Sequence, residues 1–233
     1  MTTFAEEYRA LQAELSQILQ QCSRPAGAVK ILAVSKTFPV EAIQEAYGSN
    51  VKSFGENKVQ ELSVKAEALP GDIEWHFIGH LQSNKAAKAV QYASWIHSVD
   101  SLKLLNKLDR AAGEMNKKPC ILLEVNSGEA SKSGVDYADL MALAQAAAAA
   151  ENLQFKGLMT MAPLTDDKTE WIKAFKRLSD ARDELEKALN IELPELSMGM
   201  SGDFAEAVAC NSTIIRIGTR LFGHRNYNTS DQH

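Results

Sequence analysis

The chain has 233 residues, of which 45% are hydrophobic and 24% are charged, as in an average globular protein. A formal net charge of −5 gives no general attraction to phosphate backbones, which argues against nucleic acid as a partner. The length allows one large α/β domain, and barrels of this class commonly use all of it.

The cysteines and the first residues indicate the cellular compartment. Cys22, Cys120 and Cys210 are odd in number and far apart, which favours reduced thiols over a disulfide framework or a zinc site. Four charged residues among the first twenty argue against the apolar core of a signal peptide. No apolar stretch is long enough to cross a bilayer. We therefore expect a cytoplasmic protein with no membrane partner and no metal.

The predicted elements alternate along the chain. Residues 3–22 repeat apolar side chains at helical spacing with charges between them, and the turn around Pro25 ends this amphipathic helix. Short apolar runs of strand type follow, at about 30–35, 51–54, 73–78, 95–99, 120–125, 153–159, 195–198 and 213–217. Helical patterns separate them, at about 40–47, 58–68, 84–92, 101–115, 136–150, 167–189 and 203–209.

Strict alternation of strands and helices predicts a parallel sheet, and eight strands close it into an α/β fold of the (β/α)8 TIM barrel type. An open doubly wound sheet is the rival architecture, but no GxGxxG motif follows the first strand. We expect a single domain over 1–233. Within it, residues 1–25 form a helix packed on the barrel and 226–233 form a polar tail.

Lys36 is the first candidate for chemistry, since it directly follows the first predicted strand. In a parallel barrel the site is built where the strands end. A lysine normally keeps its ammonium in solvent on a helix face. Where a buried strand emerges, the ammonium loses hydration, which favours the neutral amine that forms Schiff bases.

The last two predicted strands are followed by small and hydroxyl residues of the kind that bind phosphate. These are Ser201, Gly202, Gly218 and Thr219, with Arg216 in the final strand. Loops after strands seven and eight commonly form the phosphate site of a barrel, together with a helix N-terminus. The alternatives are that Ser201 or Asp203 is only a helix N-cap and that Gly218-Thr219 is only a turn.

Several motifs together resemble one family. They are Ala33-Val-Ser-Lys36-Thr37, Phe54-Gly-Glu-Asn57, the run from Trp75 to Lys85, Ser133-Gly-Val-Asp136, the run from Leu196 to Asp203 and that from Val208 to Gly223. In this order and spacing they resemble the pyridoxal phosphate homeostasis proteins, which are similar to the N-terminal barrel of alanine racemase. The resemblance covers about residues 5–225. Asn211 departs from it where the family often has glycine, although asparagine tolerates the left-handed conformation of helix ends.

The resemblance implies a cofactor and its contacts. It implies pyridoxal 5′-phosphate (PLP) as a covalent internal aldimine on Lys36, with Arg216 against the pyridine nitrogen. The other implied contacts are Ser201, Gly218 and Thr219 around the phosphate and Asn57 near the ring. A cationic arginine leaves the ring nitrogen unprotonated and the cofactor a weak electron sink, whereas a carboxylate would keep it protonated.

These expectations favour a protein that holds the cofactor over an enzyme. We expect no catalytic residue and a monomer that takes part in PLP homeostasis, buffering PLP or delivering it to apo-PLP enzymes. Alanine racemases carry a second domain with a tyrosine base, whereas here we expect only the polar tail around Tyr227 after the last strand. Two alternatives remain: a low-rate PLP-dependent amino-acid racemase or lyase, and a cofactor-free aldolase that uses Lys36.

Other polar residues are interpreted as structural. His76 and His80 are four residues apart, but Gly79 separates them and no third metal ligand is near in the sequence. Lys132 resembles a family lysine near the mouth, and a solvated loop lysine is the simpler interpretation. Carboxylates at strand ends are expected to be caps or ion-pair partners: Glu56, Asp100, Glu124 and Asp203.

Overall fold

Eight parallel strands form a closed barrel in the computed structural model, which describes residues 2–128 and 133–223. The strands are β1 (Lys30–Val34), β2 (Ser53–Glu56), β3 (Glu74–Phe77), β4 (Trp95–Val99), β5 (Cys120–Glu124), β6 (Gln154–Met159), β7 (Glu195–Ser197) and β8 (Ile214–Ile217). Each strand pairs with the next along the chain, and β8 returns to pair with β1. The predicted TIM barrel is confirmed.

Helices connect the strands on the outside of the barrel. They are α1 (Phe4–Gln21), α2 (Val40–Gly48), α3 (Val59–Ala68), α4 (Ala86–Tyr92), α5 (Leu102–Glu114), α6 (Tyr137–Ala148), α7 (Lys168–Leu189), α8 (Phe204–Ala209) and α9 (Thr219–Phe222). The first eight correspond to the predicted helices within a few residues. α9 was not predicted, because a single turn between two glycines gives no periodic signal.

β2 begins and ends later than predicted. The strand runs over Ser53–Glu56 rather than 51–54, so Gly55 and Glu56 lie within it instead of after it. Gly55 belongs to the strand because it pairs with Val34 in β1 and with His76 in β3. A Cβ on it would lie 3.1 Å from Ile78 Cδ1, so a small residue suits this position. Here the glycine marks a close contact and not a strand end.

The larger part of the apolar core lies between the strands and the surrounding helices. Trp75 and Phe77 belong to it, while Trp95 packs with Leu122 and Met159 in a second, smaller cluster. All three aromatic residues are buried. Buried polar side chains occupy the interior of the barrel, whereas branched aliphatic residues fill most barrels of this type.

α1 packs outside the barrel against α8 and α9. It begins with a capping box, in which the Thr3 hydroxyl accepts the N–H of Glu6 and the Glu6 carboxylate accepts the N–H of Thr3. The ring centroids of Phe4 and Phe222 lie 5.0 Å apart, as do those of Phe38 and Phe222. These rings tie α1 to α9 and to the loop after β1.

Within residues 2–128 and 133–223, no helix combines the length and apolar character needed to cross a membrane. Lys132 and the predicted tail at 226–233, which includes Tyr227, lie outside the described residues.

Candidate functional site

A cavity of about 260 Å³ opens at the carboxyl ends of the strands. All six candidate binding residues line it: Lys36, Asn57, Ser201, Arg216, Gly218 and Thr219. The rest of the wall consists of Val34, Ile78, Met161, Met200 and Gly202. A larger cavity, of about 430 Å³, lies beside α1 at the opposite end of the barrel and contains none of the six. The mouth cavity is therefore the candidate site, because residues distant in the sequence converge there.

The loop that carries Lys36 is fixed by hydrogen bonds on both sides. The N–H of Ser35 donates to the carbonyl oxygen of Gly55 over 3.0 Å. The N–H of Thr37 donates to a carboxylate oxygen of Glu61 over 2.8 Å. Thr37 has a φ of 68°, a left-handed conformation that β-branched residues rarely adopt. The Glu61 carboxylate therefore stabilises a strained backbone position directly after Lys36.

A buried ion pair lies behind this loop. Lys65 Nζ is 2.7 Å from Glu56 Oε1, and neither side chain is more than 6% exposed. The same ammonium donates to the carbonyl oxygen of Ser35 over 2.9 Å, and the Ser35 hydroxyl donates to Glu56 Oε1 over 2.6 Å. Burial raises the pKa of Glu56, and Lys65 partly offsets this. Glu56 is thus an ion-pair partner, as expected, and the pair holds the residue before Lys36.

Arg216 is buried inside the barrel. Its Nη1 donates to the carbonyl oxygen of Ser197 over 2.6 Å and to the Ser197 hydroxyl over 2.8 Å, and its Nη2 donates to the Thr160 carbonyl over 2.9 Å. Burial lowers the pKa of Arg216 to about 10, against the opposing effect of Asp203 and Glu124, so the guanidinium is charged at neutral pH. Its Nε–H and one Nη2–H form no bond to the described residues and are available to a ligand.

The turns after β7 and β8 present backbone donors. The N–H groups of Ser201, Gly202, Thr219 and Arg220 form no hydrogen bond within the described part of the chain. Two of them begin α9, where the first N–H groups of a helix have no intrahelical partner. The exposed Ser201 and Thr219 also carry hydroxyls. Such a set of donors suits an anion.

Asn57 and Gly79 form a closely packed part of the wall. The side-chain oxygen of Asn57 is buried and has no hydrogen-bond partner among the described residues, which is uncommon for a buried acceptor. A Cβ on Gly79 would lie 2.2 Å from the carbonyl oxygen of Asn57. Glycine is therefore required for the ends of β2 and β3 to approach this closely.

The other polar candidates have varied surroundings. His76 is buried in the barrel, whereas His80 is exposed and lies 3.5 Å from Asp100, so the two histidines do not share a site. Asp203 stands at the N-cap position of α8, but its side chain forms no capping hydrogen bond to the helix, and its Oδ1 accepts the N–H of Met200 over 2.5 Å. The expectation of a cap or an ion pair is wrong for Glu124, which forms neither within the described residues. Burial, reinforced by Asp100, raises the pKa of Glu124 to about 7.

The sequence interpretation missed the polar interior next to Arg216. His97 in β4 contacts Ser197 in β7, and Ser197 contacts Arg216. The available signal is the two-residue period of a strand, which places His97 on the same face as Trp95. The pairing of residues 100 positions apart has no local signal.

Comparisons with known proteins show the family and the fold of the chain. Residues 7–226 match the family model described as alanine racemase, N-terminal domain. The pyridoxal phosphate homeostasis protein of Pseudomonas aeruginosa is 42% identical over 230 residues, covering 97% of this chain and 98% of that protein. PipY of Synechococcus elongatus, solved with PLP bound, is 41% identical with a TM-score of 0.84, and the match covers 95% of this chain and 100% of PipY.

An alanine racemase of Clostridium difficile has a TM-score of 0.73 at 16% identity, with 96% of this chain and 58% of the racemase covered. At that identity the likeness shows the barrel fold and carries no statement about activity.

Proposed function

Because the chain belongs to the alanine racemase N-terminal domain family and, within it, to the pyridoxal phosphate homeostasis proteins, we propose that it binds PLP at the mouth of the barrel. It holds PLP as a Schiff base on Lys36 and buffers it or delivers it to apo-enzymes. The observation that carries this proposal is that all six candidate residues line one cavity. The PLP-bound structure of PipY, at 41% identity, supports the same ligand.

Lys36 fits the aldehyde of PLP. A Schiff base needs a primary amine, and Lys36 is the lysine among the residues that line the cavity. The anchored backbone of Ser35 and Thr37 on either side presents this amine from a fixed position. When bound, PLP supplies the aldehyde and an electron-withdrawing ring.

Arg216 fits the ring nitrogen. Its guanidinium has donors that the described residues leave unused, and a charged guanidinium cannot accept a proton. It therefore donates a hydrogen bond to an unprotonated ring nitrogen, which keeps the ring a weak electron sink. This suits holding the cofactor or slow proton chemistry, and it disfavours transamination.

The remaining contacts divide between the two ends of the cofactor. Ser201, Gly218 and Thr219 are assigned to the phosphate, because these turns hold backbone donors that have no partner among residues 2–128 and 133–223. Asn57 is assigned to the ring, where its buried side-chain oxygen would gain a partner. The residues at the mouth thus fit each polar region of PLP.

Protection and release test this function. The loaded protein is challenged with a phosphatase that destroys free PLP, and an apo-aminotransferase is then added. We expect the wild type to retain PLP and to reactivate the apo-enzyme, whereas Lys36→Ala loses PLP during the challenge. Lys58→Ala removes an exposed lysine next to Asn57 and should behave as wild type. Equal loss from wild type and Lys36→Ala would contradict the proposal.

A slow racemase or lyase is the second candidate, and one observation favours it. A buried carboxyl with a pKa of about 7, as in Glu124, can exchange a proton at neutral pH. Glu124 is not among the residues that line the mouth cavity, which favours homeostasis. An amino-acid turnover rate well above that of free PLP, and abolished by Glu124→Gln, would establish the enzyme instead.

A further inference from the structure

A continuous chain of hydrogen bonds runs through the barrel interior from Arg216 to its opposite end. Arg216 Nη1 is 2.8 Å from Ser197 Oγ, which is 2.9 Å from His97 Nδ1. His97 Nε2 is 2.9 Å from His76 Nδ1, and His76 Nε2 is 2.9 Å from Glu74 Oε1. The chain links β8, β7, β4 and β3, and only its Arg216 end lines the mouth cavity.

Both histidines in the chain are neutral at pH 7. His76 is 3% exposed and His97 is fully buried. Burial lowers the pKa of His76 and holds the pKa of His97 well below its ordinary value, the latter with help from the positive charge of Arg216. A neutral imidazole has one nitrogen that donates and one that accepts.

The two ends of the chain fix the direction of every hydrogen bond in it. Arg216 can only donate, and the Glu74 carboxylate, whose pKa is lowered mainly by its bond to His76, can only accept. His76 Nε2 must therefore donate to Glu74, so its Nδ1 accepts from His97 Nε2. His97 Nδ1 then accepts the Ser197 hydroxyl proton, and Ser197 Oγ accepts from Arg216.

The reverse order is unfavourable. It would leave the lone pair of His76 Nε2 against the Glu74 carboxylate over 2.9 Å. It would also direct two donors, His97 Nδ1–H and Arg216 Nη1–H, at Ser197 Oγ. The Ser197 hydroxyl proton would then lose His97 Nδ1 as its acceptor. An unpaired buried polar group typically costs about 1–3 kcal/mol.

We infer that Ser197, His97 and His76 are positioning residues, which orient the guanidinium of Arg216 toward the ring nitrogen of PLP. They do so because every hydrogen bond in the chain is donated in the direction from Arg216 to Glu74. This inference rests on the proposed function, since it assigns Arg216 to the PLP ring. With Ser197 fixed as an acceptor, both Nη1 protons of Arg216 are engaged. The guanidinium plane is thereby fixed, and Nε–H and one Nη2–H remain for the ligand.

The histidine tautomers test the direction of the chain without any cofactor. Long-range ¹H–¹⁵N correlation spectra of histidine-labelled apoprotein at pH 7 distinguish the two neutral forms and the cation, and His76→Phe and His97→Phe assign the signals. We expect both residues as neutral Nε2–H tautomers. A cationic ring, or a proton on Nδ1 of His97, would overturn the inference. The outcome of this measurement does not depend on whether Lys36 binds PLP, so it is separate from the test of the proposed function.

PLP titrations test the positioning role. Ser197→Ala removes the link to Arg216, so we expect the dissociation constant for PLP to rise about 5- to 10-fold and the visible absorption maximum to shift. Ser197→Thr keeps the hydroxyl and should stay within about twofold of wild type. If Ser197→Ala leaves both affinity and absorption unchanged, or Ser197→Thr fails as Ser197→Ala does, the role is wrong.

Glu74→Ala tests the same hydrogen-bond chain from its exposed end and can be used if a variant in the barrel interior does not fold. Glu74 is 45% exposed at the far end of the chain, so this truncation is tolerated. Without its acceptor, His76 should show a mixture of tautomers, and PLP affinity should fall about two- to threefold. Unchanged tautomers and unchanged affinity together would overturn the inference.

Discussion

Lys65 illustrates how a single buried side chain supports the site without touching the ligand cavity. It neutralises Glu56 and holds the carbonyl oxygen of Ser35, one residue before Lys36. Replacement of both partners of a buried ion pair is often tolerated, whereas removal of one leaves the other charge unpaired in the interior. The contribution of Lys65 is therefore to keep Glu56 paired.

Lys65→Met should destabilise the protein by about 3–5 kcal/mol, because it leaves Glu56 buried and uncompensated. Urea denaturation at pH 7 measures this. Lys58→Met, on the solvent-exposed side of the same region, should change the free energy of unfolding by less than about 0.5 kcal/mol. The double variant Lys65→Met with Glu56→Gln should recover part of the loss. Equal effects of the two single lysine variants would contradict this reading.

Glu124 makes stability depend on pH near neutrality. Its pKa of about 7 in the folded protein lies above its ordinary value of 4.5, so between these pH values the folded state binds more protons than the unfolded state. The free energy of unfolding therefore falls as pH rises through this window. Glu124→Gln mimics the protonated form and should match wild type near pH 4.5 but be more stable by roughly 3 kcal/mol at pH 8.

Denaturation curves from pH 4.5 to 8 measure this difference. Glu151→Gln, an exposed carboxylate in the loop after α6, is the matched control and should show a constant offset from wild type. A constant offset for Glu124→Gln as well would show that Glu124 is not held protonated by the fold.

At the scale of elements, most strands and helices follow from their sequence periods, and the exceptions have local causes. β2 extends through Gly55 because this residue pairs with both neighbouring strands, whereas in the sequence a glycine indicates a strand end. α9 is too short to give a period. The pairings of Lys65 with Glu56 and of His97 with Ser197 join different elements, so local patterns cannot predict them.

Gly79→Ala should separate the ends of β2 and β3. The added Cβ would lie 2.2 Å from the carbonyl oxygen and 2.7 Å from Cα of Asn57, so one strand end must move. We expect a loss of about 1–3 kcal/mol of stability and weaker PLP binding, because Asn57 lines the cavity. Thermal unfolding and a PLP titration measure the two effects. Gly71→Ala, where a Cβ would meet nothing within 4 Å, is the control, and equal behaviour would contradict the account.

At the scale of the whole molecule, the alternation of eight strands with helices was enough to predict the closed barrel, and the barrel brings the six candidate residues together. Their approach follows from topology, because the carboxyl ends of all parallel strands meet at one rim. The assignment of roles within the rim depended on the family resemblance. The monomeric state and the single-domain boundaries stay predictions.

Binding of PLP should stabilise the folded barrel as a unit. A ligand that binds only the folded state at 100 times its dissociation constant adds about 2.7 kcal/mol, which for a chain of this size raises Tm by roughly 5–10 °C. Pyridoxal, which lacks the phosphate, should give a smaller shift at the same concentration. An equal shift with pyridoxal would remove the phosphate role of Ser201, Gly218 and Thr219.

The absorption spectrum of the purified, PLP-loaded protein tests the central claim most directly. Wild type, Lys36→Ala and the control Lys58→Ala are compared before and after borohydride. We predict a visible Schiff-base band in wild type and Lys58→Ala that borohydride converts irreversibly, with the added mass located on Lys36, and no such band in Lys36→Ala. A wild-type protein without this band after PLP addition, or an undiminished trapped band in Lys36→Ala, would contradict the account.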